Sequence, residues 1–130
     1  MIRRQLLLGL AGAAVLGVTG CARQVVNVEE ATELPADKLR KCIKQAALRR
    51  GWRVVRDDAG KMRVKYVKGP HTLVADVVYD DKGFSIEPVK EGSTLIDSDG
   101  KAHRKVNQWT ANLAATIRDE ERKVLIRQQM

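Results

Sequence analysis

The feature that most constrains this chain is a change of period at Trp52. Upstream, Leu39, Cys42, Ile43, Ala46 and Ala47 recur at the three- and four-residue spacing of a helix, with Lys38, Arg40, Lys41, Lys44 and Arg49 filling the other side. Pro35 suits the first turn of that helix and Gly51 its end. Downstream, Lys61, Arg63 and Lys65 alternate with Met62, Val64 and Tyr66, and Leu73, Ala75, Val77 and Tyr79 share one side of the next strand. Successive strand side chains face opposite ways, so this alternation makes a sheet with one apolar face and one polar face.

Turn chemistry divides the alternating segment into four strands. Trp52 to Arg56 is the first, Asp57-Asp58-Ala59-Gly60 a turn, and Lys61 to Val67 the second. Lys68-Gly69-Pro70 precedes a third strand from His71 to Tyr79, and Asp80-Asp81-Lys82-Gly83 precedes a fourth at Phe84-Ser85-Ile86-Glu87. Pro88 lacks a ladder donor, so the fourth strand ends there or lies at an edge. A loop over residues 90–101 leads to a last helix from about Ala102 to Arg127, with Ala102, Val106, Trp109, Leu113, Ile117 and Val124 on its apolar stripe. Asp119 and Lys123 form an i,i+4 pair on its other side. Short turns make the strands antiparallel, and both helices need one apolar sheet face to cover. The expected fold is α+β, a two-layer sandwich with a four-stranded antiparallel meander flanked by an N-terminal and a C-terminal helix, formed by residues 35–130 as a single domain. The second sheet face is expected to be open, carrying Arg53, Lys61, Arg63 and Lys65 beside Val55, Val67, Val74 and Val78.

The amino terminus has a separate logic. Met1-Ile2-Arg3-Arg4 is cationic, Leu6 to Val18 is apolar, and Thr19 and Gly20 are small residues before Cys21. The apolar run is about a third short of the roughly 20 residues a spanning helix needs, so a cleaved secretory signal over residues 1–20 is expected. Val18-Thr19-Gly20-Cys21 resembles the lipobox of bacterial lipoproteins. The resemblance implies diacylglycerol on the Cys21 thiol, cleavage before it, and acylation, palmitate included, of the new terminus. Two or three acyl chains hold a protein at a membrane essentially permanently, each buried methylene contributing about 0.8 kcal/mol. Ala22 stands where an Asp favours inner-membrane retention in that family, which implies the periplasmic face of the outer membrane. Arg3-Arg4-Gln5-Leu6-Leu7 also partly resembles a twin-arginine signal, leaving the export route open between the two systems. Residues 21–34 are then a lipidated tether with a reach of roughly 20 Å, and Val25-Val26-Asn27-Val28 within it is able to add an edge strand.

Loss of Arg3 and Arg4 with the signal lowers the formal net charge from +8 to +6. The surplus reads first as ordinary solvated surface charge, and as a partner signal outside the cytoplasm it points to anionic headgroups, glycolipid phosphates or an acidic protein and not to nucleic acid. With Cys21 acylated, Cys42 has no disulfide partner, and its place on the helical stripe makes it a small buried hydrophobe.

Arg50-Gly51-Trp52 after the first helix, Phe84-Ser85-Ile86, Ser93-Thr94-Leu95, and His103-Arg104, Asn107, Trp109, Asn112, Leu113 and Ile117 together resemble a family of small, uncharacterised lipoproteins of Gram-negative bacteria. This chain departs from it at Pro88 and Val106, where the family usually has an aromatic residue. The resemblance implies a location and a fold and supplies no activity.

Candidates for chemistry are thin. His71 falls at a turn, and Asp97-Ser98-Asp99-Gly100 starts like a calcium loop but lacks the third early ligand and the closing Glu. His103 and Asn107 are one helical turn apart; with Arg104 they either line a pocket or tie the helix start to the preceding loop. Metal-ligand spacing, a phosphate-binding glycine loop and a nucleophile elbow are all missing from the sequence. The expectation is a non-enzymatic envelope lipoprotein without cofactor or metal, whose domain is a binding or interaction module working through its sheet. The alternative is a binder of an anionic small ligand or glycolipid through Arg53, Lys61, Arg63 and Lys65, with His103, Arg104 and Asn107 as further binding candidates.

Overall fold

The computed structural model describes residues 27–97 and 99–129. The expected signal, Cys21 and the start of the tether lie outside the described residues. The elements are β1 (Val28–Ala31), α1 (Ala36–Arg49), β2 (Arg53–Asp58), β3 (Lys61–Lys68), β4 (His71–Tyr79), β5 (Gly83–Val89) and α2 (Arg104–Gln128). The strands form one antiparallel sheet in the order β1-β5-β4-β3-β2. The class is α+β with an N-terminal and a C-terminal helix, and the expected four strands become five. The extra strand comes from the expected tether, where Val28 pairs with Ile86 and Ala31 with Gly83. The pairing is close: a Cβ on Gly83 would sit 2.3 Å from the Glu30 carbonyl oxygen, so β1 docks only because residue 83 has no side chain.

Both helices bury their stripes on one face of the sheet. Leu39, Ile43, Ala46 and Ala47 of α1 share a core with Val106, Leu113 and Ile117 of α2, and the sheet contributes Met62, Val64, Leu73, Val77 and Ile86. Full burial of each large apolar side chain contributes about 1.5–3 kcal/mol. Helix α2 begins at Arg104, after Ala102 has made a bridge with Ile96. Its buried residues include Val106, Thr110, Leu113 and Ile117, so Trp109, expected in mid-stripe, lies on the flank and is only partly buried.

The first hairpin differs from expectation in an informative way. The register shifts between Val54 and Arg56, so Val55 is a bulge and strand β2 runs on through Asp57 and Asp58, leaving Ala59 and Gly60 as the turn. The bulge turns Asp57 toward α1, where Arg40 Nε donates to it at 3.1 Å and Lys44 Nζ approaches to 3.1 Å. The Arg40 guanidinium, followed by Lys44, holds the Asp57 carboxyl below the usual carboxylate range. Among the described residues Ile86 is the last of β5 paired with β1, and Pro88 lies two residues past it, where no described strand calls for its missing donor.

Candidate functional site

The end of α1 builds the most distinctive concavity. Trp52 N–H donates to the Ala47 carbonyl at 2.7 Å and Gly51 N–H to the Leu48 carbonyl at 3.2 Å. These are the two bonds of a Schellman cap, with Arg50 at the cap and Gly51 just beyond it at φ +84°. The left-handed residue swings the chain out of the helix and drives Trp52 inward, where it is 4% exposed. Its ring meets Tyr66 of β3 at a centroid distance of 5.3 Å, and Tyr66 meets Trp109 of α2 edge-on at 4.8 Å.

These three rings floor a cavity of about 330 Å³. Arg49, Arg50 and Lys68 supply cations to its walls, and Gln108 and Asn112 supply amides. Asp119 holds Arg49 at 2.9 Å, with Glu120 on the same nitrogen. Arg50 and Lys68 have no ion-pair partner among the described residues. None of the seven binding candidates named from the sequence lines this cavity. Two separate blocks of the sequence contribute to it, Arg50-Gly51-Trp52 and Trp109 with Asn112, and the fold brings them together.

The sheet-face candidates share one surface but not one charge state. Arg53 stands opposite Lys65 and Arg63 opposite Asp76. Arg63 grips Asp76 with both prongs, Nε donating to Oδ1 at 2.7 Å and an Nη to Oδ2 at 3.0 Å, and Lys61 Nζ lies 3.6 Å from the same carboxylate. The Arg63 guanidinium holds the Asp76 carboxyl below its ordinary range. The expected basic face is therefore corrected in its middle, where Asp76 projects from the neighbouring strand and neutralises Arg63 and Lys61. Val74, expected to be exposed there, is buried under the loop after β5. Its N–H donates to Ser93 Oγ at 2.8 Å, and Gly92 packs over its side chain. Val55 and Val67 are exposed, at 52% and 57%, and Val78 is at 36%.

At the start of α2, His103 is the N-cap, and its Nδ1 accepts from Lys105 N–H at 3.1 Å. His103 N–H donates to the Leu95 carbonyl at 2.8 Å, tying the helix start to the loop. Its ring lies 6.0 Å from that of His71, which is half-buried, not a solvated turn residue. Arg104 is exposed, and the Asn107 carbonyl accepts from Thr110 Oγ1. Asp97 Oδ1 accepts from the N–H groups of Asp99 and Lys101, closing a turn. Cys42 is 3% exposed, and burial pushes its thiol up to about 11. Among the described residues no three His, Cys, Asp or Glu groups gather in metal-binding range.

No family model, curated protein or solved structure matches the chain.

An open depression of about 480 Å³ also lies where β1 meets β5, beside Glu29, Glu30 and Asp80. Ala31, Gly83 and Ser85 also line it, and it is wide open to solvent.

Proposed function

We propose that this chain is a non-enzymatic lipoprotein of the cell envelope, anchored through Cys21 to the periplasmic face of the outer membrane, and that its domain is a binding module. The observation that carries the binding reading is the junction of Trp52, Tyr66 and Trp109 under the side chains of Arg50, Lys68 and Asn112. A few polar groups converging on one concavity are what fix a ligand's orientation. The alternative, an anionic ligand or glycolipid on the basic sheet face, has less support there because Asp76 already occupies Lys61 and Arg63. Its anionic character suits the pocket better, where two cations stand unpaired among the described residues.

The anchor and the pocket are tested separately in cells. Cys21→Ser abolishes labelling by radioactive palmitate and leaves unprocessed precursor; a labelled variant removes the lipoprotein reading. A photo-crosslinking amino acid in place of Asn112 captures an envelope component, whereas one in place of Val67 on the sheet face does not. The reverse result moves the binding surface to the sheet.

A further inference from the structure

The charges of the aromatic pocket specify a class of ligand as well as a place to bind, provided that this pocket is the ligand site proposed for the domain. Among the described residues no carboxylate lines it. Arg49 is held by Asp119 and Glu120, so the uncompensated charge belongs to Arg50 and Lys68. Two cations within one small cavity repel each other and favour a ligand group carrying close to two negative charges. A phosphate monoester carries about −1.5 to −2 at neutral pH and accepts the paired donors of a guanidinium. A carboxylate answers only one of the two.

The rest of the pocket is redundant for a bare anion. Gln108 and Asn112 each present a donor and an acceptor, the combination that hydroxyl groups use in both directions. Tyr66 and Trp109 are only partly buried, so part of each ring reaches a cavity wall that is otherwise mainly polar. The volume of about 330 Å³ is near the lower end of the ~300–1,000 Å³ typical of small-ligand sites, room for one substituted ring and not for a length of polymer.

We infer that the pocket binds a phosphorylated hexose or N-acylated hexosamine, the phosphate on Arg50 and Lys68 and the ring hydroxyls on Gln108 and Asn112. A soluble sugar phosphate and the phosphorylated sugar headgroup of a membrane glycolipid share this chemistry.

The chain has two tryptophans and both line the pocket, so intrinsic fluorescence reports on it directly. The full-length lipidated protein in detergent is titrated with glucose 6-phosphate, with glucose, with inorganic phosphate, and with micelles of a diphosphorylated, N-acylated glucosamine disaccharide lipid. Glucose 6-phosphate shifts the emission saturably, and each half of it alone binds at least about tenfold more weakly, the scale of one or two lost hydrogen bonds. Tighter binding of the lipid identifies a headgroup, and equal or weaker binding a soluble sugar phosphate; either is the inferred chemistry. Lys68→Gln, at an exposed strand end, lowers affinity about tenfold or more, while Lys61→Gln on the opposite sheet face leaves it unchanged. Equal binding of phosphate and glucose 6-phosphate overturns the inference, as does equal loss in the two lysine variants. A silent titration with successful crosslinking at position 112 removes the ligand class and keeps the pocket; silence in both removes both.

Discussion

Trp109 stands edge-on to Tyr66, with ring centroids 4.8 Å apart and planes inclined by 80°. This contact joins the flank of α2 to the end of β3, and it is the point at which the core gives way to the pocket. It also divides the residues of α2 between stability and binding.

Leu113 is fully buried in the core, whereas Trp109 packs against it from the side. Leu113→Ala is expected to cost about 3 kcal/mol through lost burial and the cavity left behind. Trp109→Ala forfeits part of a large side chain and an aromatic pair of about 0.5–1.5 kcal/mol, for a total of about 2 kcal/mol. Urea unfolding of the two variants checks the order. A Trp109 variant less stable than the Leu113 variant places the ring in the core and not at its rim.

Gly83 controls whether β1 belongs to the sheet. A Cβ there meets the Glu30 carbonyl oxygen at 2.3 Å, a separation that real contacts do not reach, and the obstacle is backbone. Gly83→Ala is expected to release β1 while the other four strands stay paired, at a loss of about 1–3 kcal/mol. Hydrogen exchange reads it directly: protection falls at the amides of β1 and persists in β4. Unchanged protection in β1 shows that the strand pair can separate without parting.

Asp76 gives the sheet face an acid sensitivity. Its folded pKa is depressed, chiefly by hydrogen bonding to Arg63, below the unfolded value of about 4. The sign is set by proton binding: below the unfolded value the unfolded state takes up the proton first, so this stability exists above about pH 4 and is lost as pH falls through the folded value. Asp76→Asn removes the contribution with little change of shape. Urea midpoints of wild type and variant should differ at pH 7 and converge in acid, and a constant gap from pH 7 downward excludes the ion pair as the cause.

Glu121 works in the opposite direction. It is 7% exposed, Oε1 has no hydrogen-bond partner among the described residues, and Oε2 accepts from Thr32 Oγ1 at 3.3 Å. Burial, the main cause, raises its pKa, with Glu30 and Glu33 adding repulsion. The folded state therefore holds its proton more tightly than the unfolded one, and stability declines as pH rises through the folded value. Glu121→Gln should stabilise the protein by about 1 kcal/mol at pH 7, since an amide avoids burying the charge, with the gain shrinking toward pH 4. Thermal melts across that range measure it; a destabilised variant at pH 7 shows that the ionised carboxylate is needed.

The elements were legible in the sequence because their patterns are local. Leu39, Ile43, Ala46 and Ala47 are all buried, as their helical spacing requires, and Met62, Val64, Leu73, Val77 and Ile86 all face the helices. Asp119 and Lys123 lie on one face of α2 at 3.8 Å, set by helix geometry alone. The bulge at Val55 was not legible, because one extra residue in a strand changes no composition and reveals itself only through its partner's register.

The two helices, the alternating strands between them, the turn glycines and the stop at Gly51 follow from local sequence, since each depends on a few neighbouring residues and on φ and ψ. What lies beside what was settled by the folded chain. It set Asp76 against Arg63, recruited β1 to the edge of the sheet, and moved Trp109 from the centre of a stripe to the rim of a pocket. Those outcomes depend on contacts between residues distant in the chain, and Arg50-Gly51-Trp52 and Trp109 become one site only when α2 folds back over the end of α1.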